Sequence, residues 1–239
     1  MLFKVDSEIF NKVDDYCVGI IVACGLCQPA DMGVLTDYKQ SVIEKARTQL
    51  ADADIKTTPK IAKYRAAMNA LGVNANKYQT SVESLLRRVQ SGDIIESIAP
   101  AVDLGNAVSV KYGFPVGVHN IDSFSGDMEV RFSGDNDIFD ESKNPREPVY
   151  VTGNSVRTRN WLWRQTEAGR MTTAGAENIL FLIDGFEENA EDIISARNEL
   201  SLLLTTHFGC EVRVGFVSSK NPSFKIAGLT ETEKTAEDD

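Results

Sequence analysis

A continuous apolar run near the N-terminus, YCVGIIVACG (residues 16–25), is the feature that most limits the fold. It is far shorter than the ~20 apolar residues that a membrane-spanning helix needs. Because the run has no polar face, it predicts a central strand that is buried on both sides. The first ten residues, MLFKVDSEIF, lack the basic start and long apolar centre of a signal peptide. We therefore expect a cytoplasmic protein that contains no membrane segment.

Helical periodicity follows this strand, between Thr36 and Arg88. Thr80 and Glu83 form a capping box at the start of one helix, and Gly92 is a suitable end for it. The spacing of apolar residues predicts a further helix from Ser97 to Tyr112. The first half of the chain is therefore expected to be mainly helical.

From Val116 onward, short runs rich in branched and aromatic residues predict strands. A long helix from about Asn189 to His207 and a final alternating strand, CEVRVGFV, are expected to follow. A helical half followed by a β-rich half indicates an α+β fold, a single compact domain with mixed sheets packed by helices. We place this domain at residues 1–217. Residues 218–239 are expected to form an acidic, disordered tail, because TETEKTAEDD is too polar to bury a core.

The formal net charge is −10, from 35 acidic against 25 basic residues. A broad nucleic-acid surface is normally basic, so the composition argues against a DNA-binding protein. The charges are unevenly spread, however, since Lys143 to Arg170 contains six Lys and Arg against two acidic residues. This basic segment is where the sequence could bind an anionic ligand.

The cysteines are Cys17, Cys24, Cys27 and Cys210. CGLC resembles half of a redox or metal motif, but no second Cys or His pair stands at ligand spacing. A disulfide pair or a zinc site is one interpretation. We favour small apolar core residues in a reducing compartment. The sequence therefore predicts no metal and no cofactor.

Both tryptophans lie in the basic segment, within RTRNWLWRQ (residues 157–165). If this is one strand, its period of two places on one face Arg157, Arg159, Trp161, Trp163 and Gln165. Such a face can stack a planar ring and bind a carboxylate or phosphate. In the alternative interpretation, the tryptophans belong to the core and the arginine side chains cover the edges of their rings. Arg164 would lie on the opposite face, so a bulge or the strand's end must bring it to the tryptophans. We predict that Arg164 contacts the ligand's carbonyl or phosphate and that Trp161 or Trp163 packs on its ring.

A polar ladder recurs every three residues on the otherwise apolar helix before Gly113, at Asp103, Asn106 and Ser109. Buried polar side chains need partners, so the ladder either closes an internal hydrogen-bond network or lines a pocket. We predict that Asp103 and Asn106 face one cavity with Arg131 and the WLWRQ segment.

Neither histidine stands in a recognisable catalytic context. His207 lies at the end of the last helix, where a cation suits the helix dipole, and is assigned to structure. His119 lies in the strand or turn after Pro115, and its role stays open. No serine has a G-x-S-x-G context, and the sequence has no phosphate-binding glycine loop.

Four segments occur in a recognisable order: KYGFPVGVHNID, SGDMEVRF, RNWLWRQ and LFLIDGF. Together they resemble the free-standing relatives of the editing domain in the beta subunit of bacterial phenylalanyl-tRNA synthetase, built from its B-three and B-four modules. The resemblance runs from the helix before Asp103 to the final strand. It implies an α+β fold with a central pocket between two sheet-bearing modules. In the synthetase this pocket hydrolyses the ester that joins a wrong amino acid to the 3′ end of the tRNA, a second selection step that binding alone cannot supply.

The resemblance transfers four positions: Pro115, Gly126, Arg131 and, as the equivalent of the family's following aspartate, Asp140. The family's histidine two residues after the matching proline is replaced by Gly117, and His119 lies two positions later. The family's glycine-rich pocket segment, with its acidic residue, is replaced by WLWRQ. The resemblance therefore carries over the pocket without a catalytic residue.

The first hypothesis for function is an RNA-binding hydrolase that deacylates aminoacyl-tRNA in trans. Its substrate-binding residues are predicted to be Asp103, Asn106, Arg131, Asp140, Trp161, Trp163, Arg164 and Gln165. The expected partner is the 3′ end of an aminoacyl-tRNA or a free amino acid, and neither DNA nor a membrane. Two alternatives remain: a non-catalytic pocket protein that binds an amino acid or a related small metabolite, and an interaction protein whose Trp and Arg face is an interface.

Overall fold

The structure, a computed structural model, describes residues 1–139, 145–169 and 176–226. Its helices are α1 (Ser7–Phe10), α2 (Met32–Leu50), α3 (Pro59–Ala70), α4 (Ser81–Ser91), α5 (Pro100–Tyr112) and α6 (Ala190–Phe208). Its strands are β1 (Leu2–Val5), β2 (Tyr16–Cys24), β3 (Val116–Asn120), β4 (Met128–Phe132), β5 (Pro148–Thr152), β6 (Ser155–Arg159), β7 (Arg164–Gln165), β8 (Asn178–Phe186), β9 (Glu211–Ser218) and β10 (Ser223–Lys225). None of the helices in these ranges is both long and apolar enough to cross a membrane.

The apolar run forms the strand that was predicted from it. β2 lies inside a four-stranded antiparallel sheet of order β3-β8-β2-β9, and eight of its nine residues are buried. Helix α6 packs closely on one face of this sheet. A Cβ atom added at Gly185 would lie 2.4 Å from the Ile193 side chain, so a larger residue would have to displace that side chain. Because strand residues alternate, Asp184 next to it faces away from α6.

The second sheet has six strands in the order β10-β1-β4-β5-β6-β7. It is mixed, because β1 and β4 are parallel while the other neighbours are antiparallel. Helices α2, α4 and α5 pack against one another beside the sheets. The predicted class, an α+β fold with two sheets packed by helices, is confirmed.

Most local helix signals are confirmed, but only half of the predicted capping box forms, because Arg65 and Arg87 bind the Glu83 carboxylate. Thr80 caps α4 by accepting a hydrogen bond from the Glu83 amide at 3.3 Å, and Gly92 ends the helix with φ +81°. Gly113 ends α5 in the same way, with φ +72°. The predicted start of α5 at Ser97 is three residues early, because Pro100 is its first helical residue.

The predicted tail begins too early. β9 continues to Ser218, β10 (Ser223–Lys225) pairs with β1, and Ile226 is fully buried. The polarity of the segment concealed a short edge strand whose Phe224 packs against the core. The rest of the predicted tail, residues 227–239, lies outside the described residues.

Candidate functional site

A cavity of about 700 Å³ lies between the two sheets and is closed at the side by α4 and α5. Its walls include residues from β3 and β8 of one sheet and from β5, β6 and β7 of the other. Its polar lining residues include Asn106, His119, Tyr150, Arg164, Gln165 and Asp184. We call the buried side of the cavity, formed by His119, Tyr150 and Asp184, the inner end. We call the more exposed side, formed by Arg88, Trp163 and Arg164, the rim.

The inner end is organised around the carboxyl group of Asp184, which is 2% exposed. Tyr16 donates a hydrogen bond to its Oδ1 at 2.5 Å, and Tyr150 donates a second one to the same oxygen. The two phenol oxygens are 2.8 Å apart. Tyr64 donates to the backbone carbonyl of Asp184 at 2.6 Å, which fixes the strand at this point. Three tyrosines therefore hold one acidic residue on the cavity wall.

Burial raises the pKa of Asp184 to about 7, because water no longer stabilises the charged form. The hydrogen bonds from Tyr150 and Tyr16 oppose this shift, since they favour the carboxylate. Burial also holds the pKa of both tyrosines well above the ordinary value. The group thus changes its protonation close to neutral pH, as a proton-transferring group or a switchable anion does.

His119 lies beside this cluster and is buried. Its ring stacks on that of Tyr150, with centroids 6.2 Å apart and planes 13° apart. Burial, with a smaller contribution from the Arg157 charge, lowers the pKa of His119 to about 3, so the imidazole is neutral at physiological pH. Nδ1 is buried and has no hydrogen-bond partner among the described residues.

Gly117 explains how the imidazole fits. A Cβ atom at this position would lie 3.0 Å from Nε2 of His119, two residues further along the same face of β3. The ring of His119 thus occupies space that a side chain at position 117 would take. The sequence left the role of His119 open, and the structure brings it to the cavity wall.

The segment RTRNWLWRQ is a hairpin, and the prediction of one continuous strand is wrong. β6 ends at Arg159, β7 begins at Arg164, and the two strands pair in antiparallel orientation. The turn between them has φ +47° at Asn160 and φ +62° at Trp161. Such angles are uncommon for a bulky residue, and no glycine marks the turn.

The turn sends the two tryptophans to different places. Trp161 is fully buried, with its ring centroid 5.2 Å from that of Tyr16 and 6.4 Å from that of Tyr64. It belongs to the core and does not line the cavity. Trp163 is half-buried on the rim, where its ring packs edge-on against that of Tyr78, with centroids 4.7 Å apart.

The reversal of the chain brings Arg164 against Trp163, with the guanidinium carbon 4.5 Å from the indole centroid. Arg164 is exposed and lines the cavity together with Gln165. Gln165 donates to the Val118 carbonyl at 3.0 Å and so ties the hairpin to β3. The predicted association of Arg164, Trp163 and Gln165 with a cavity is therefore found, although a turn produces it.

The arginines before the turn have structural partners. Arg159 forms a bidentate ion pair with Glu147, at 2.9 and 3.0 Å, and both residues are buried. Arg157 donates to the Thr152 hydroxyl at 2.7 Å and to the Ser123 carbonyl at 2.6 Å. Their side chains therefore serve the six-stranded sheet and its loops.

A comparison with protein families connects this cavity to a known domain. The family model of the B3/4 domain matches residues 63–202, which is more than half of the chain. The chain belongs to the B3/4 domain family. This is the domain found in the phenylalanyl-tRNA synthetase beta subunit, so the relationship expected from the sequence is confirmed. No curated protein matches the chain.

The matched range begins earlier than the expected resemblance, at Lys63 in α3, and stops within α6. It contains all of the described residues that line the cavity. Tyr16, which donates to Asp184, lies outside this range. This chain therefore completes the inner end of its B3/4 cavity with a side chain from β2.

The polar ladder of α5 divides among three roles. Asn106 lines the cavity as predicted. Asp103 does not, because it accepts hydrogen bonds from Ser97 and from the Ile98 amide. Ser109 donates to the Phe114 carbonyl at 2.6 Å and helps to end the helix. A helix turns by about 100° per residue, so a spacing of three spreads a ladder around its axis.

Arg131 does not reach the cavity either. It pairs with Asp137 at 2.7 and 2.8 Å on the six-stranded sheet. Asp140, the other position that the resemblance suggested, lies outside the described residues. The four cysteines are free. Within the described ranges, no three His, Cys, Asp or Glu residues are grouped so as to hold a metal ion.

The sequence interpretation missed Asp184, Tyr150 and Tyr16. One signal was available, since Asp184 is the only charged residue in the buried strand NILFLIDGF. A charge in such a run needs a specific partner or a function. Its partner Tyr16 is 168 positions away in the chain, and no local pattern reveals such a pairing.

Proposed function

We propose that this chain is a trans-acting deacylase that hydrolyses the ester bond of an aminoacyl-tRNA. One observation carries the proposal: a single cavity joins a cationic, aromatic rim to a buried polar inner end. An aminoacyl ester of a nucleotide has the same division, with a base and phosphates at one end and an amino acid at the other. Membership of the B3/4 domain family supports a function related to tRNA synthetases.

The rim suits the nucleotide part of this substrate. An indole is a stacking platform for a base, and guanidinium groups pair with phosphate oxygens. Trp163 and Arg164 offer these groups side by side, and Arg88 adds a second guanidinium. These two guanidinium groups outnumber Glu96, the acidic lining residue outside the inner end, so in a protein with a net charge of −10 they place positive potential where RNA would arrive.

The rest of the cavity suits the amino acid part. The volume of the whole cavity, about 700 Å³, lies within the range of small-molecule sites. Val116, Val118 and Leu162 supply apolar wall for a side chain, while Asn106 and Gln165 supply polar groups for the ester. An aminoacyl group would thus lie between the rim and Asp184.

Hydrolysis in this cavity needs a positioned water molecule. The water oxygen attacks the ester carbonyl carbon, the bond to the ribose oxygen breaks, and that oxygen takes a proton that the water gives up. The neighbouring ribose hydroxyl of the substrate can relay this proton. The neutral imidazole of His119 holds the water by a hydrogen bond in this scheme, and orientation of this kind can contribute several kcal/mol to catalysis.

A non-catalytic pocket for a free amino acid is the second candidate. The observation that favours it is the pKa of His119, which burial lowers to about 3 and which makes the imidazole a weak base. A pocket that only binds would need the hydrogen-bonding groups of the inner end and no proton transfer.

The two histidines of the chain offer a matched test. Purified protein is incubated with a panel of tRNAs that carry different amino acids, and loss of the ester is followed over time. His119→Asn removes the cavity imidazole, whereas His207→Asn changes a histidine on α6 that does not line the cavity. We expect ester loss with at least one aminoacyl-tRNA, slowed roughly tenfold or more by His119→Asn and unchanged by His207→Asn.

Equal rates for the two histidine variants would contradict the role of His119. Failure to hydrolyse any aminoacyl-tRNA, together with saturable binding of free amino acids, would replace the deacylase by the second candidate.

A further inference from the structure

Asp184 has no cationic partner among the described residues. Both phenol donors, Tyr16 and Tyr150, bind its Oδ1. Within the described ranges, no donor reaches Oδ2, and no Lys, Arg or His lies close enough to form an ion pair with this carboxyl group. Burial of a carboxylate is strongly unfavourable unless a cation and hydrogen bonds compensate it. Burial accordingly raises the pKa of Asp184 to about 7, and a ligand that brings a positive charge to Oδ2 would favour the carboxylate.

The neighbours of Asp184 on the cavity wall do not supply positive charge. Pro115 and Gly117 lie beside it on β3, and the imidazole of His119 is neutral. Tyr150 on β5 offers an uncharged phenol. Arg88 and Arg164, the cations of the cavity, lie on the rim. Among the residues that the structure describes, no cation therefore reaches Asp184, and a cationic group of a ligand can pair with it.

We propose that Asp184 binds the α-ammonium group of the substrate, so that the cavity accepts only amino acids whose amino group is free. This inference rests on the proposed function and adds the class of amino acid that the site takes. The ammonium donates to Oδ2, while Tyr16 and Tyr150 keep Oδ1 in place and orient the carboxylate. The ester carbonyl carbon is two bonds from this nitrogen. In this arrangement it lies near Gln165 and Asn106, between Asp184 and the rim.

The structure also gives a reason why amino acids with a blocked amino group are excluded. An N-acetyl or N-formyl group has no positive charge, so it would gain no ion pair with Asp184. It would also bring a carbonyl oxygen close to the carboxylate. Amino acids with a blocked amino group are therefore rejected by both charge and hydrogen bonding.

The test uses small amino acid amides and their N-acetyl derivatives as probes, with binding measured by titration calorimetry. The wild-type protein is expected to bind the free amides roughly tenfold or more tightly than the acetylated partners, since hydrogen bonds between charged groups are stronger than those between neutral groups. Asp184→Asn keeps the size of the side chain and an acceptor for both tyrosines, and should abolish this preference. Asp122→Asn, on an exposed aspartate that does not line the cavity, is the matched control.

Equal binding of free and acetylated amides to the wild-type protein would overturn the inference, and so would no binding of either. Because this comparison uses the wild-type protein, it does not depend on the folding of a variant. Hydrolysis separates the two proposals. If the protein deacylates N-acetyl-aminoacyl-tRNA as fast as the unblocked form, the ammonium site is wrong and the deacylase stands. If the amides show the preference but no aminoacyl-tRNA is hydrolysed, the deacylase is wrong and the ammonium site stands.

Discussion

Trp161 and Trp163 lie two residues apart on one hairpin, but their surroundings differ completely. Trp161 is fully buried between Tyr16 and Tyr64, whereas Trp163 is half-buried on the cavity rim beside Arg164. The turn that separates them has left-handed backbone angles at Asn160 and Trp161. Two residues of the same type at a spacing of two therefore have different roles, one in the core and one at the candidate ligand site. The backbone conformation of the turn determines which role each of them has.

The two sides of the hairpin are also linked to different parts of the cavity. The core side supports the inner end, because Trp161 packs on Tyr16 and Tyr16 donates to Asp184. The rim side meets solvent through Arg164. We therefore expect changes on the core side to reduce stability and changes on the rim to reduce ligand binding.

The largest expected effect is that of Trp161→Ala. Removing a fully buried indole leaves a cavity, and we expect a loss of ~3 to 5 kcal/mol in the free energy of unfolding, measured by denaturant titration. Trp163→Ala makes the same chemical change on a half-buried ring and should cost only about 1 kcal/mol. Equal losses for the two variants would contradict the division between core and rim.

A smaller effect tests the inner end through pH. The pKa of Asp184 is about 7 in the folded protein, against 3.8 as the ordinary value. Between these values the folded state binds more protons than the unfolded state, so this group's contribution to stability falls as pH rises. The limiting slope is about 1.4 kcal/mol per pH unit. Asp184→Asn should remove this slope between pH 5 and 7 in denaturant titrations. Parallel pH profiles for the wild type and the variant would show that Asp184 titrates normally.

The smallest effect on stability is expected on the rim. Arg164→Ala should change the free energy of unfolding by less than about 0.5 kcal/mol, because the side chain is exposed. The same variant should lose most of its binding to aminoacyl-tRNA in a filter-binding assay. The control is Arg146→Ala, another exposed arginine, which pairs with Glu8 away from the cavity. An Arg164→Ala protein that unfolds but keeps full activity per folded molecule would make this arginine a structural clamp.

Much of the fold follows from local sequence signals. The apolar run predicted β2, Thr80 and Gly92 predicted the two ends of α4, and Gly113 predicted the end of α5. Each of these depends on residues that are close in the chain. Periodicity and caps are therefore sufficient to place them.

The site depends on features that such signals do not contain. The hairpin turn has no glycine, and the left-handed conformation of Trp161 is uncommon for its residue type. The contacts of Asp184 join β2, β5 and β8, so they exist only once both sheets have formed. Trp163, Arg164, Gln165 and Asn106 were predicted as cavity residues, while Asp103, Arg131 and Trp161 were assigned to it wrongly.

The most direct test of the two-ended cavity is a crystal structure with an analogue that cannot be hydrolysed, adenosine carrying an amino acid in amide linkage at its 3′ position. We predict that the ammonium group lies about 3 Å from a carboxylate oxygen of Asp184, as a charged hydrogen bond requires, and that the adenine lies against Trp163. An analogue bound in the opposite direction, with its amino group at Arg164, or bound outside the cavity, would contradict this arrangement.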